Sequence, residues 1–111
     1  MEYYRFDLDH TLCNVRKVGD HWDYRNAVPD MERIAKVNKL YDEGNHITID
    51  TARGYVSGIN WLPFTSEQVI GWGIKFHRLR TGIKIPCTYD IDDKAVHPDE
   101  FFKTKLIEFT N

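Results

Sequence analysis

A chain of 111 residues with 41% hydrophobic and 14% aromatic content is sized for one globular domain with one core, leaving no room for a second folded unit. Fifteen basic and 17 acidic residues give a formal charge of -2, which excludes the broad electropositive surface of a general nucleic-acid binder but permits a local basic patch. Apolar runs too short to span a membrane, and an N-terminus without a basic-then-apolar leader pattern, predict a soluble cytoplasmic protein. Cys13 and Cys87 lie in no zinc-like spacing and read as reduced, partly buried thiols.

The first element is a strand over residues 3–8, where Tyr3, Tyr4, Phe6 and Leu8 have buried-strand character. Asp7 and Asp9 stand where that strand runs out. A strand repeats every two residues, so both carboxylates project toward one region and need a positive partner, most economically a hard divalent cation. Residues 15–24 follow as two β-capable runs separated by Gly19-Asp20, the signature of a hairpin. It stands beyond the acidic turn, either as a flap over it or as cover for a sheet edge.

Pro29-Asp30 opens a helix with Met31, Ile34, Ala35, Val37, Leu40 and Tyr41 near one face, stopping at Gly44-Asn45. A second strand over residues 46–51 completes a βαβ unit, so the two strands are expected to be parallel neighbours. Functional groups in such sheets gather at the strands' carboxyl ends, which puts Thr51-Ala52-Arg53-Gly54 beside Asp7 and Asp9. Thr65-Ser66-Glu67-Gln68 offers a capping box for a second helix ending near residues 71–73. Residues 74–79 alternate as a third strand, residues 88–91 run into Asp92-Asp93 as a fourth, and residues 98–109 carry Phe101, Phe102, Leu106 and Ile107 at helical spacing.

Three strand ends thus carry polar groups without a structural reason: Asp7 and Asp9, Thr51 and Arg53, Asp92 and Asp93. Taken singly, each is ordinary turn or cap chemistry. Together at one end of a parallel sheet they suit a Mg²⁺ ion, which takes a few carboxylate and carbonyl oxygens plus water and a phosphate.

The chain resembles the haloacid dehalogenase superfamily of phosphatases. Phe6-Asp7-Leu8-Asp9-His10-Thr11-Leu12 is similar to the first motif, Asp-x-Asp-x-Thr after apolar residues; Ile47-Thr48-Ile49-Asp50-Thr51 to the second; Lys84 to the lysine of the third; and Ile91-Asp92-Asp93-Lys94-Ala95 to the acidic pair of the fourth. Thr51-Ala52-Arg53-Gly54 and Asp92-Asp93-Lys94-Ala95 most resemble small members among bacterial polysaccharide-synthesis and phage proteins. The resemblance spans essentially the whole chain. It implies an α/β, three-layer Rossmann-like domain over residues 1–111 with a central mainly parallel sheet, a small hairpin flap and no cap domain.

The activity implied is a Mg²⁺-dependent phosphomonoesterase working through an aspartyl-phosphate on a phosphorylated sugar or another small metabolite. In that scheme Asp7 is the nucleophile and Asp9 the general acid and base; Thr51, Lys84 and Arg53 face the phosphoryl group. The metal is held by Asp7, the Asp9 backbone carbonyl and Asp92, with Asp93 behind them. Arg53 either orients substrate or forms a loop salt bridge. His10 occupies a position where the family often has Gly, and Asp50 replaces a usually apolar residue and either faces the sheet's mouth or pairs with a base such as Arg53 or Lys75. An open site without a cap suits a phosphate on a bulky molecule or a neighbouring subunit as lid, with His21, Trp22, Tyr24, Trp61 and the basic set His77, Arg78 and Arg80 as candidate selectivity groups. The alternatives are a non-catalytic phospho-ligand or protein-binding module of the same fold, and a nucleic-acid end phosphatase using the basic set between Lys75 and Lys84.

Overall fold

The computed structural model describes residues 1–83. Lys84, the expected fourth strand with Asp92 and Asp93, and the expected helix over residues 98–109 lie outside the described residues. Strand β1 (Tyr3–Asp7) feeds a two-tier ribbon. Its base pairs β2 (Cys13–Asn14) with a later strand, and its tip is the hairpin of β3 (Lys17–Val18) and β4 (His21–Trp22), turned at Gly19 with φ 61°. A 3-10 turn (Tyr24–Asn26) leads into β5 (Val28–Pro29), which returns antiparallel to β2. Helix α1 (Met31–Asp42), β6 (His46–Asp50), α2 (Leu62–Gly71) and β7 (Arg78–Arg80) follow.

The expected βαβ unit is present. The described sheet has three parallel strands in the order β1-β6-β7, with Tyr4 opposite Ile47, Phe6 opposite Ile49 and Asp7 opposite Asp50. Register partners share a face, so Phe6, Ile47 and Ile49 join one core with Leu8, Leu12 and the α1 residues Ile34, Val37 and Leu40. Helix α1 has the caps its sequence promises: Asp30 Oδ1 accepts from Arg33 N at 3.1 Å, and Asn45 Nδ2 donates to the Leu40 carbonyl at 3.0 Å beyond Gly44 at φ 93°. Burying each of its three aliphatic side chains contributes about 1.5–3 kcal/mol, which makes this face the fixed wall behind the site.

Two element boundaries differ from the sequence reading. Helix α2 begins at Leu62, because Asn60 Oδ1 accepts the Leu62 N–H at 3.1 Å and Pro63 sits in the first turn, where it lacks no needed donor. The Thr65 capping box therefore does not form; Thr65 lies inside the helix and is fully buried. The third strand pairs only over Arg78–Arg80, not over residues 74–79. Gly73, at φ 79°, and the Ile74 N–H to Val69 carbonyl bond of 3.1 Å end α2, so Ile74 is spent as the buried contact beneath the helix end. Lys75 lies outside the strand, its Nζ 2.7 Å from Asp42. No helix among the described residues is long and apolar enough to cross a membrane.

Candidate active site

The turn after β1 alternates anchors with chemistry. Leu8 and Leu12 are fully buried, and the Leu8 carbonyl accepts N–H bonds from Thr11, Leu12 and Cys13 at 3.2, 2.9 and 3.2 Å. The Leu8 N–H reaches the Asp50 carbonyl at 3.0 Å, continuing the sheet for one more residue and fixing where Asp7 and Asp9 emerge. His10 takes φ 66°, a left-handed conformation that carries no Cβ penalty in Gly. That explains why a turn of this shape favours Gly, and the imidazole finds a use by meeting Trp22 edge-on at 5.0 Å.

Asp7 keeps an exposed edge at the mouth while the pocket walls crowd its carboxyl. Its carboxyl is pushed up to about 6, first by loss of water around it and then by the neighbouring Asp9, partly offset by a backbone bond from Leu8. Asp9 is gripped instead. Arg53 Nε reaches both Asp9 oxygens at 3.2 and 3.1 Å, Arg53 Nη2 reaches Oδ1 at 2.8 Å, and Thr51 Oγ1 donates to Oδ2 at 2.9 Å. The Cys13 thiol adds a weak bond to Oδ1 at 3.5 Å. Burial and the adjacent Asp9 push that thiol up to about 12, so Cys13 is a packed donor and no nucleophile.

Arg53 is wholly buried, with its guanidinium stacked 4.6 Å from the Tyr24 ring centre. Its remaining nitrogen, Nη1, donates to Gln68 Oε1 at 2.7 Å and Thr65 Oγ1 at 3.3 Å. Of the two roles held open for Arg53, the salt bridge is observed, and its partner is Asp9 itself. Thr51 is buried too, and its hydroxyl also accepts the Arg53 N–H at 3.2 Å, which locks the turn after β6.

Asp50 pairs with neither Arg53 nor Lys75. It lies in register between Asp7 on β1 and Arg80 on β7, and Arg80 closes a two-pronged bridge on it at 2.7 and 2.6 Å while Arg5 Nε stands 3.7 Å away. Cross-strand register chose these partners. The segment after β7 runs beside the second motif, with Ile83 N donating to the Thr51 carbonyl at 3.0 Å and Gly82 N to the Arg53 carbonyl at 2.9 Å.

A pocket of about 210 Å³ is lined by Asp7, Asp9, His10, Trp22, Tyr24 and Ala52. The hairpin therefore supplies a wall of the site through Trp22. His21 is exposed and lines no part of the pocket, and Trp61 stands behind Tyr24, edge-on at 5.1 Å. Sequence reading missed Thr65 and Gln68, although their spacing of three was noticed; the same spacing puts both on one helix face, turned toward Arg53. Among the described residues no group of three His, Cys, Asp or Glu side chains could hold a metal ion, and Asp92 and Asp93 lie outside them.

No family model matches the chain, and no curated protein matches it. Among solved structures, the crystal structure of an MCSG target protein from Vibrio cholerae matches with a TM-score of 0.74 and 26% identity, covering 100% of both chains. The mixed α/β architecture, with its parallel sheet, is thus shared by a protein of equal extent.

Proposed function

We propose that this protein is a Mg²⁺-dependent phosphomonoesterase of the haloacid dehalogenase type, a capless three-layer Rossmann-like domain acting on a phosphorylated sugar or another small metabolite. The observation that carries the reading is the division of labour between the two acids of the first motif. Asp7 opens into the pocket, while Asp9, two residues on, is tied to Thr51 and Arg53 from the adjacent parallel strand end.

The donors suit Mg²⁺. The Asp7 carboxyl, raised by burial and by the like charge of Asp9, would be relieved by a cation, and the pocket offers one the carboxylate oxygens of Asp7 and Asp9 beside the imidazole of His10. Asp7, the Asp9 backbone carbonyl and Asp92, with Asp93 behind them, would hold the ion. When bound, Mg²⁺ supplies charge neutralisation between an anionic nucleophile and an anionic phosphate.

In the first half-reaction an Asp7 carboxylate oxygen bonds to phosphorus, the bond to the leaving oxygen breaks, and that oxygen takes a proton from Asp9. In the second half, water attacks the phosphorus of the aspartyl-phosphate and gives its proton to Asp9, releasing phosphate and restoring Asp7. Both Asp9 oxygens are engaged in the structure, so proton transfer requires the carboxyl to turn toward the pocket it borders. Thr51 donates to a phosphoryl oxygen when it leaves Asp9, and Lys84 contributes positive charge to the same group. Arg53 holds Asp9 between turnovers.

A screen for phosphate release from sugar phosphates, polyol phosphates and nucleotides, with and without Mg²⁺, tests this reading. The expected result is turnover that needs Mg²⁺ and vanishes in Asp7→Asn. Binding of Mg²⁺ and phosphate analogues without turnover on any substrate would replace it by a phospho-ligand-binding module.

A further inference from the structure

We infer that Gln68 is a positioning residue for Asp9, acting through Arg53, and that it links the proton-transfer carboxylate to the aromatic wall of the pocket. The inference rests on the phosphatase reading for its catalytic part. A guanidinium has five N–H donors in a rigid fork, and every one used here fixes the orientation of the rest. The Nε and Nη2 edge grips Asp9, while Nη1 points the other way, into α2. The orientation of the edge that holds Asp9 is therefore set by what holds Nη1.

Gln68 does that with one arm and something else with the other. Its Oε1 accepts from Arg53 Nη1 at 2.7 Å, and its Nε2 donates to the Tyr24 carbonyl at 2.8 Å. Tyr24 closes the sandwich, with its ring on the guanidinium and its edge toward Trp61, and it lines the pocket two residues after Trp22. One amide thus joins the loop that shapes the pocket to the cation that shapes Asp9. Thr65, one turn earlier on the same face, gives Nη1 a longer second bond at 3.3 Å, whereas Gln68 also bonds the Tyr24 carbonyl. An apolar side chain at position 68 would leave Nη1 with that weaker partner alone and would release the Tyr24 backbone. Asp9 would still be bound, but to a guanidinium free to rock about its own axis.

The proposal separates positioning from substrate binding. Gln68 does not line the pocket, so its loss should appear in kcat and spare KM. The half-buried Gln68 tolerates Met, which keeps its length and removes both hydrogen bonds.

Two readouts on Gln68→Met decide the matter. The first is the NMR signal of the Arg53 Nε–H, which is buried and bonded to Asp9 and so exchanges slowly with water in the wild type. We expect its exchange to rise roughly tenfold or more in the variant beyond any rise at the backbone amides of α1, which report global stability. The second is hydrolysis of phenyl phosphate with Mg²⁺, whose poorer leaving group needs the Asp9 proton and where kcat should fall roughly 10- to 100-fold with KM unchanged. Gln68→Glu, which keeps an acceptor for Nη1 but loses the bond to Tyr24, should fall between the wild type and Gln68→Met in both readouts. An unchanged Arg53 signal, an unchanged kcat beside a loosened Arg53, or a rise in KM matching the loss in kcat would each overturn the inference. Absence of turnover in the wild type would overturn the phosphatase reading and the catalytic part of this one, and the Arg53 signal would still decide whether Gln68 holds the guanidinium.

Discussion

Replacing Arg80 by Met asks whether Asp50 is a structural carboxylate neutralised from within the sheet. The Asp50 side chain is 2% exposed, and Arg80 holds it with two short bonds. Removing one partner of a buried ion pair costs roughly 3–5 kcal/mol, because the charge left behind has no water to replace it. Two features lower that figure. Arg5 remains 3.7 Å from Asp50 Oδ2, and the Arg80 side chain is itself 34% exposed, so part of its charge is already shared with solvent. Arg80→Met should therefore lose about 2–3 kcal/mol. Asp50→Asn should lose less, about 1–2 kcal/mol, since the amide keeps the volume and Arg80 can turn to water. The double variant should lose less than the sum of the two, because each single change already breaks the same bridge. Urea denaturation followed by tryptophan fluorescence measures all three. A loss below about 0.5 kcal/mol for Arg80→Met, the size of an ordinary surface change, would refute the reasoning.

In metal-free protein the raised Asp7 carboxyl makes the folded state bind a proton more tightly than the unfolded state, whose carboxyl keeps the ordinary aspartate value of 3.8. Stability from this group is therefore full below that value and falls as pH rises toward 6, and Asp7→Asn should remove that part of the slope in urea midpoints taken with a chelator present. Equal slopes for wild type and variant would contradict it. At His10, Gly relieves a left-handed conformation worth about 1 kcal/mol but gives up the Trp22 contact, so His10→Gly should be nearly neutral while His10→Val loses about 2 kcal/mol, read from thermal unfolding. A Cβ at Gly54, where φ is 88°, would run into the Ile59 carbonyl oxygen, so Gly54→Ala should lose at least about 2 kcal/mol and disturb the turn that carries Arg53. Trp22→Ala, at a side of the pocket where Trp22 is 44% exposed, should raise KM and lose about 1 kcal/mol of unfolding free energy with the His10 contact, read from urea denaturation.

The sequence made Asp7, Asp9 and Thr51 visible because strand periodicity and the βαβ rule both point to one end of the sheet. The same rules place helix α1, whose caps and apolar face agree. What pattern alone did not supply was partner choice. Asp50 was expected to find Arg53 or Lys75, but the β6-β7 register delivers Arg80, and register is set by packing that no local window contains. Thr65 and Gln68 have the spacing of a capping box but face Arg53, because Pro63 and Asn60 start the helix a turn earlier. Ile74 looked like the first residue of a strand and is the apolar stop of the preceding helix. For Asp50, Thr65 and Gln68 a real local signal is taken up by a partner distant in sequence, and for Ile74 by the helix end five residues before it.

The most direct test is to quench the protein with acid during turnover of a phosphorylated sugar in the presence of Mg²⁺ and to map phosphorylated peptides by mass spectrometry. The expected result is a phosphoryl group on the peptide carrying Asp7, stable in acid, lost on treatment with hydroxylamine and absent from Asp7→Asn. Turnover with that peptide unmodified, or undiminished turnover in Asp7→Asn, would contradict the assignment of Asp7 as the nucleophile.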